Sequence, residues 1–269
     1  MKFLKFFCCA ALFAMGFSAS GALPETLNVI SYNIQARPLL DNASAKVSAI
    51  GKRLTEFDLV GIQELFVGAS GFASGAEGMN FRYFEPKSHA FKIVNSGLAI
   101  LSKYPVEKTA QEYFENEGSF ENVLASKGVY LARIRIAGRI VDFYTTHMAA
   151  GREKDSGAAR KDQSEQILRF IQKNSPPAHA VILTGDFNWR LPKLKLFSQI
   201  GLQSVAEELK CEKNTRIDHI FYRSGKTLQL TPVQWNVQKE SFQKSNGDSF
   251  SDHDPVQAIF QIRYPDPSE

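Results

Sequence analysis

The spacing of apolar and polar positions predicts that strands and helices alternate near the start of the chain. Residues 27–33 and 59–63 are mostly apolar runs of strand length, and residues 45–57 between them carry apolar side chains at helical spacing. Further along, residues 129–136 and 139–146 flank the dipeptide Ala137-Gly138, a short turn that indicates an antiparallel hairpin.

The later part of the chain continues the mixture of helix and strand patterns. The segments are one helix, residues 160–173, and three strands, residues 180–184, 215–223 and 256–262. We find no linker rich in proline, glycine or serine, no repeat and no low-complexity block. The pattern therefore predicts one α/β domain, a sandwich of mixed sheets with outer helices, without fixing the strand order.

The first 22 residues have the composition of a secretory signal peptide. Lys2 and Lys5 precede an apolar run at residues 6–17, and small residues follow up to Ala22. A membrane anchor is the competing interpretation, but the run is shorter than the roughly 20 residues that a bilayer core requires. We therefore expect a signal peptide at 1–22, a catalytic domain at 23–269, and a secreted or periplasmic protein.

Removal of this leader changes the cysteine count and the charge. Cys8 and Cys9 leave with it, so that Cys211 remains without a partner for an internal disulfide. The formal net charge of +4 falls to +2 when Lys2 and Lys5 are lost. A charge so close to neutral gives no electrostatic reason to expect a nucleic-acid partner.

Polar side chains stand at the ends of the predicted strands, where α/β folds often place their chemistry. The strand-end residues are Asn33, Glu64, His147, Asp186 and Asn188. Two further motifs, "RIDHIFY" with Asp218 and "SDHDPV" with Asp252 and His253, complete a candidate cluster.

Each of these motifs also has an ordinary interpretation. "GDFN" is compatible with a simple turn, "SDH" with an Asp cap, and His147 with a hydrogen-bonded structural histidine. His89 and His179 lie in no such motif and are interpreted as surface or loop residues.

In combination, the motifs resemble those of the endonuclease/exonuclease/phosphatase superfamily. The stretches that carry the likeness are "ISYNI", "GIQEL", "TTHM", "LTGDFNW", "RIDHIFY" and "SDHDPV", in that order along the chain. The resemblance implies a four-layer α/β sandwich of two mixed β-sheets flanked by helices. It also implies a divalent-metal hydrolase of phosphodiesters or phosphomonoesters.

Within that superfamily the chain is most similar to the neutral, magnesium-dependent sphingomyelinases. The segments "SGLAILSKYPV", "ASKGVYLARI" and "THMAA" followed by "ARKDQSEQILRFIQ" look like blocks of those enzymes. The resemblance implies Mg²⁺ as cofactor, with Mn²⁺ or Co²⁺ as substitutes. It further implies a phospholipid substrate at a membrane surface, sphingomyelin above all, and a monomer without a nucleic-acid partner. Lys127 is a candidate contact to the substrate phosphate.

Residue chemistry suggests which groups hold the metal. Glu64 offers a hard carboxylate oxygen suited to Mg²⁺, which uses few protein ligands. Asn33 and Asp252 are the candidates to complete the metal shell.

The remaining polar groups suit the hydrolytic step. His253 is the expected general base, and Asp218 is expected to fix its tautomer and raise its basicity. Asp186 is expected to orient the attacking water, and Asn188 and His147 to contact the phosphoryl oxygens, with His147 also aiding the leaving group.

The chain departs from the secreted sphingomyelinases at two places. Gly68, Val94 and Asn95 replace polar groups expected there, which argues against a second, peripheral metal site. The stretch before the final Asp-His holds aromatic residues among polar ones, so membrane insertion is expected to be weaker or to use another loop. These aromatic residues are Trp235, Phe242 and Phe250. The Gly-rich "LFVGASGFASG", with Phe66 and Phe72, is a candidate membrane loop but is more simply a surface loop.

Three functions remain open from the sequence. The first is a secreted sphingomyelin phosphodiesterase, and the second is the same chemistry on DNA or a phosphoinositide. Against DNA stands an acidic segment whose glutamates are Glu107, Glu112, Glu115, Glu117 and Glu121. The third is a binding protein that has lost catalysis, but the residues whose loss would mark it are present.

Overall fold

The computed structural model describes residues 23–38, 43–83, 95–119, 126–211 and 216–265. Within these ranges, twelve strands form two six-stranded sheets, each of which mixes parallel and antiparallel pairs. The predicted signal peptide at 1–22 lies outside the described residues, as do His89, Val94 and Glu121.

The first sheet combines strands from both ends of the chain, in the order β11-β12-β1-β2-β4-β3. Its strands are β1 Thr26–Ala36, β2 Leu59–Leu65, β3 Asn80–Tyr83, β4 Ala99–Ser102, β11 Gln229–Val237 and β12 Val256–Arg263. β1 and β2 are parallel, and the other neighbours are antiparallel. Helix α1, Ala43–Leu54, connects β1 to β2, and helix α2, Ala69–Gly75, packs against α1.

The second sheet takes its strands from the middle of the chain, in the order β5-β6-β7-β8-β10-β9. Its strands are β5 Val106–Tyr113, β6 Gly128–Ile136, β7 Arg139–His147, β8 Ala180–Asp186, β9 Gln203–Ser204 and β10 Asp218–Arg223. β7 and β8 are parallel and are joined by helix α3, Lys154–Asn174. The short helices are α4, Val205–Glu208, and the 3₁₀ turns Leu191–Lys193, Lys195–Ile200 and Glu240–Phe242.

Three apolar clusters establish four layers. One cluster fills the space between the sheets, with Val29 and Ile100 from the first sheet facing Phe143 and Ile182 from the second. A second lies between the first sheet and its helices, and a third between the second sheet and α3. The helix–sheet–sheet–helix arrangement confirms the predicted four-layer α/β sandwich.

Local turn chemistry explains why the predicted hairpin forms. Ala137 and Gly138 have φ of 48° and 78°, so that both occupy the left-handed region that a two-residue hairpin turn of the primed type requires. β6 and β7 begin and end within one residue of the predicted limits. By contrast, α3 starts six residues before the predicted start at 160, because its first turns are polar and carry no apolar signal.

A polar contact ties the two sheets together inside the sandwich. The side-chain amide of Gln63 in the first sheet donates to Thr145 Oγ1 of the second at 2.8 Å. At neighbouring Gly61, a Cβ would lie 2.1 Å from Thr184 Oγ1, so that glycine is needed for the sheets to approach this closely. The ends of the central strands are thereby held at a fixed spacing.

The predicted strand 215–223 starts only at Asp218, and two further strand limits, both at polar residues of the candidate site, are also wrong. Asn33 does not end β1, which continues to Ala36 after a shift in its pairing with β2. The Asp252-His253 pair does not open the last strand. It lies in a loop, because Pro255 stands between it and the first residue of β12, Val256.

The prediction that "LFVGASGFASG" forms a surface loop is also wrong, since residues 69–75 form α2. Phe72 is fully buried there, and Gly75 allows α2 to approach Ser48 of α1 closely. Phe242 and Phe250 are buried as well, and Phe242 packs edge-on against Tyr32 at 5.1 Å between ring centroids. These phenylalanines are core residues and do not form a membrane-inserting surface. No helix among the described residues is long and apolar enough to cross a bilayer.

Candidate active site

The site forms where the central strands of both sheets end. Asn33 on β1 donates through Nδ2 to Glu64 Oε1 on β2 and to Asp186 Oδ2 on β8, each at 3.1 Å. In the second sheet, Asp186 is in register with His147 on β7 and with Asp218 on β10. One amide therefore joins carboxylates from the two sheets across the sandwich.

Glu64 has an unusual backbone for a residue in a strand. Its φ is 56°, in the left-handed region that costs a non-glycine residue on the order of 1–3 kcal/mol. The pairing of β2 with β4 ends two residues earlier, at Ile62. The carboxylate is consequently turned into the crevice and is largely buried there.

His147 is buried in the centre of the site, where its surroundings favour the uncharged imidazole. Its Nε2 lies 3.5 Å from Asp186 Oδ2 and 4.0 Å from Glu64 Oε1. Burial, followed by the charges of Lys127, His253 and Arg37, holds the pKa of His147 well below 6.5. Its Nδ1 has no hydrogen-bond partner among the described residues.

Lys127 enters the site from the start of β6. Its buried Nζ donates to the Met148 carbonyl at 2.9 Å and lies 3.0 Å from His147 Nε2. Burial lowers the pKa of Lys127 to about 8, although the charges of Asp186 and Glu64 oppose that fall. The side chain therefore remains a cation at neutral pH and faces the carboxylates.

Asp186 is the most confined acid of the cluster. Burial, followed by the charge of Asp218, raises its pKa to about 7, against the opposing effects of His253, Lys127 and the Asn188 backbone N–H. That N–H donates to Asp186 Oδ1 at 2.9 Å. Asn188 Nδ2 donates to the Met148 carbonyl, the acceptor that Lys127 also uses. The crevice thus disfavours negative charge on Asp186, and a bound cation would stabilise that charge.

His253 and Asp218 form the predicted pair. His253 Nδ1 lies 2.9 Å from Asp218 Oδ2, and its Nε2 lies 3.6 Å from Asp186 Oδ2. Burial lowers the pKa of His253, but the hydrogen bond and charge of Asp218, with the charges of Asp186 and Asp252, outweigh burial and raise it to about 9. Ser251 positions this loop by donating to the Asn33 carbonyl at 2.7 Å.

Arg37 is a member of the site that the sequence patterns did not reveal. Its Nε donates to Glu64 Oε2 at 3.0 Å, and its Nη2 lies 3.9 Å from Asp252 Oδ2. Asp252 has a side chain that is 55% exposed and lies at the rim. In the sequence, Arg37 follows Asn33 by four residues, a position that carries no functional signal of its own.

Two histidines outside the predicted cluster lie away from the candidate site. His219 follows Asp218 but turns away from the crevice, and its Nε2 is 2.8 Å from the Trp189 carbonyl. His179 lies in a loop, as predicted, and pairs with the buried Asp142 at 2.8 Å. Neither histidine faces the carboxylates of the site.

The donor set fits a divalent metal in two overlapping ways. The carboxylates of Glu64, a predicted ligand, and of Asp186 both contact Asn33 and offer hard oxygen atoms. Asn33, the other predicted ligand, presents Nδ2 to both of them, and its Oδ1 accepts from the Gln35 backbone N–H at 3.1 Å. Alternatively, ligand atoms of Asp186, Asp218 and His253 all lie within 4.8 Å of one another. We favour the Glu64 side, because an imidazole with a raised pKa that is already bonded to Asp218 makes a poor ligand.

The structure brings together seven of the eight predicted site residues and places Asp252 at their edge, 3.9 Å from Arg37. Their individual roles stay predictions. The arrangement supplies carboxylate oxygens that can bind a cation on one side and a histidine paired with a carboxylate on the other. Amide and ammonium groups that can donate hydrogen bonds lie between them. Such a set can bind a phosphate, activate a water and stabilise charge on phosphoryl oxygens.

Curated proteins that are similar to this chain carry sphingomyelinase names. A sphingomyelinase of Mycobacterium tuberculosis is 27% identical over 90% of this chain and 54% of its own length. Sphingomyelin phosphodiesterase 2 of Rattus norvegicus is 25% identical over 90% of this chain and 66% of its own length. The chain therefore spans about half to two thirds of the length of these two relatives.

Solved structures share the fold at low sequence identity. Sphingomyelinase C from Streptomyces griseocarneus has a TM-score of 0.70 at 20% identity, over 87% of this chain and 99% of that one. Beta toxin from Staphylococcus aureus with bound magnesium ions has a TM-score of 0.65 at 20% identity, over 86% and 98%. D. rerio TDP2 complexed with a single strand DNA product has a TM-score of 0.72 at 19% identity, over 88% and 100%.

A family model matches nearly the whole extent of the sandwich. The match covers residues 30–253, from β1 through the loop that carries His253. It includes the whole second sheet, the first sheet except β12 and the first four residues of β1, and every residue of the candidate site. The chain belongs to the Endonuclease/Exonuclease/phosphatase family.

Proposed function

We propose that this chain is a divalent-cation-dependent phosphodiesterase that hydrolyses sphingomyelin to ceramide and phosphocholine. The observation that carries the reaction type is the His253–Asp218 pair beside the Asn33–Glu64–Asp186 cluster. The substrate is supported by the relatives named as sphingomyelinases, which match 90% of this chain. Mg²⁺ is the proposed cation, since the nearby donors are mainly oxygen atoms.

His253 and its neighbours supply the proton transfers. His253 Nε2 accepts a proton from water as the water oxygen attacks phosphorus and the bond to the ceramide oxygen breaks. Asp218, bonded to Nδ1, holds the ring in place and stabilises the imidazolium that forms. Asp186 lies 3.6 Å from Nε2 and orients the same water. The ceramide oxygen leaves with the electron pair of the broken bond and takes up a proton from solvent, and His253 later releases its proton to solvent.

The donors between the two sheets stabilise the phosphoryl group. Lys127 and Asn188 point their nitrogen atoms to the Met148 carbonyl, so both stand at the same edge of the crevice. An ammonium and an amide there neutralise charge that builds on phosphoryl oxygens in the transition state. A cation held by Glu64, next to Asn33, would polarise the phosphate from the other side.

A substrate panel tests the proposal. Purified protein with Mg²⁺ is assayed on sphingomyelin, phosphatidylcholine and phosphoinositide liposomes, with release of the phosphorylated headgroup as readout. His253→Ala is the matched control, since contaminating activity would persist in it. Phosphocholine release from sphingomyelin that is absent in the variant supports the proposal. Activity on another lipid alone would contradict the substrate.

A DNA phosphodiesterase is the second candidate. The likeness of fold to TDP2 bound to a single strand DNA product favours it. The glutamates of the β5 segment, among them Glu107, Glu112 and Glu115, oppose it, because affinity for nucleic acids depends largely on basic contacts to phosphates. Cleavage of single-stranded or plasmid DNA by the wild type, with no phosphocholine release, would decide in its favour.

We also propose that residues 1–22 direct export and are removed near Ala22. The proposal is supported by the two lysines and the apolar run that precede the first strand. Intact-mass measurement of exported protein should find a chain that begins close to residue 23. Exported protein that retains Met1 would contradict it.

A further inference from the structure

Arg37 places a guanidinium against the carboxylate that we expect to bind the cation. Its Nε lies 3.0 Å from Glu64 Oε2, while Asn33 donates to the other oxygen, Oε1, at 3.1 Å. Each oxygen of Glu64 therefore already accepts a hydrogen bond from a side chain. An arginine–carboxylate contact of this kind is charge-assisted and stronger than a neutral hydrogen bond.

The surroundings of Glu64 explain why a positive partner is needed there. The Glu64 side chain is only 10% exposed and shares the crevice with Asp186. A buried carboxylate is stable only when it is paired with a cation or well hydrogen-bonded. Arg37 supplies that positive charge from the end of β1.

Arg37 can leave its contact with Glu64 at a low cost in free energy, because it is partly solvated. The Arg37 side chain is 42% exposed, and its second contact, to Asp252, is 3.9 Å long. Asp252 is itself mostly exposed and remains close enough to receive the guanidinium if it leaves Glu64. A divalent cation at the same oxygen would repel the guanidinium and take its place.

We propose that Arg37 competes with the divalent cation for Glu64 and thereby sets the cation concentration at which the site fills. The proposal rests on the cation site of the proposed function. Arg37 would be a positioning residue: it holds the Glu64 carboxylate inside the crevice when cations are scarce and yields that carboxylate when they are abundant.

Calorimetric titration of Mg²⁺ tests the competition directly. Arg37→Ala and Arg37→Gln should both bind Mg²⁺ about tenfold more tightly than the wild type, because the competitor is gone. Arg135→Ala is the matched control, since Arg135 is also half-exposed and paired with a carboxylate, Glu107, but lies outside the site. Its affinity for Mg²⁺ should equal that of the wild type.

Thermal unfolding gives a second readout that does not depend on activity. In EDTA, both Arg37 variants should unfold at a lower temperature than the wild type, because Glu64 loses its positive partner. In millimolar Mg²⁺ this difference should close or reverse. Mg²⁺ binding that is unchanged, weaker or undetectable in both variants would overturn the competition.

The test of the competition by Arg37 can fail or succeed independently of the test of the proposed function. If sphingomyelin is not hydrolysed but the Arg37 variants bind Mg²⁺ more tightly, the competition stands and the substrate is wrong. If sphingomyelin is hydrolysed and the affinity for Mg²⁺ does not rise in the variants, the function stands and the competition is wrong.

Discussion

His253 Nδ1 lies 2.9 Å from Asp218 Oδ2, which leaves Nε2 of the same ring directed toward Asp186 at 3.6 Å. A ring fixed at one nitrogen and open at the other is the geometry of a general base. His253→Ala should therefore lower the turnover number on sphingomyelin liposomes by about 10² or more. Binding to the liposomes should stay close to that of the wild type, as measured by cosedimentation. Near-normal turnover by this variant would refute the mechanism.

The Asp218 partner should determine the pH at which this base becomes available. Asp218 raises the pKa of His253, and a general base acts only after it has lost its proton. Activity should thus increase with pH through the neutral range. Asp218→Asn should move the rising limb of kcat/KM to lower pH and reduce its plateau, because the pKa of His253 falls.

Asp248→Asn, a change of the same kind at an exposed loop position, serves as the control for this profile. It should leave the position of the limb unchanged. A limb that stays in place in Asp218→Asn would show that His253 is not the group that titrates.

The position of the cation can be decided by comparing two carboxylates. Glu64→Gln retains an oxygen that can accept from Asn33 but removes the charge, so it should weaken Mg²⁺ binding by about tenfold or more, with activity recovering partly at high Mg²⁺. Asp218→Asn should change the affinity for Mg²⁺ much less if Glu64 is the ligand. The reverse order would place the cation at the Asp186, Asp218 and His253 group. Full activity of the wild type in EDTA would contradict cation dependence altogether.

His219 should make the folded state sensitive to mild acid. Burial lowers its pKa to about 4, although the Trp189 carbonyl and Asp218 oppose that shift. Between pH 6.5 and 4 the unfolded chain binds a proton that the folded chain does not, so that the free energy of unfolding falls as the pH falls. The loss at pH 5 relative to pH 7 should be on the order of 2 kcal/mol.

Urea unfolding at pH 7 and pH 5 measures this loss. His219→Gln keeps an amide that can donate to the Trp189 carbonyl but does not titrate, and its free energy of unfolding should fall less between the two pH values. Equal losses in the wild type and the variant would contradict the assignment.

The predicted site residues were recognisable because polar side chains interrupt apolar runs. Glu64 and Asp186 each follow a series of buried aliphatic residues, and such a break is visible in the sequence. Arg37 has no such signal, since arginine after a strand is common. Its contact with Glu64 depends on the way the chain turns within the last residues of β1, where Gln35 takes a φ of 49°.

The aromatic residues show why the surface was harder to predict than the site. Phe72 and Phe242 lie in segments rich in glycine or polar residues, which favours a prediction of exposed loops. Their burial comes from partners distant in sequence, with Phe72 under α1 and Phe242 against Tyr32. The order of strands escaped prediction for the same reason, since it depends on packing between segments.

The two sheets are built on the same plan, and this symmetry has a consequence for how the site is assembled. In each, the parallel pair among the described strands stands at the centre and is joined by a helix, α1 in one sheet and α3 in the other. The first pair carries Asn33 and Glu64, and the second carries His147 and Asp186. Neither half of the molecule holds a complete site. Catalysis therefore requires the two sheets to be packed together. A fragment that folded as one sheet with its helix would be inactive until the other sheet and its helix were added.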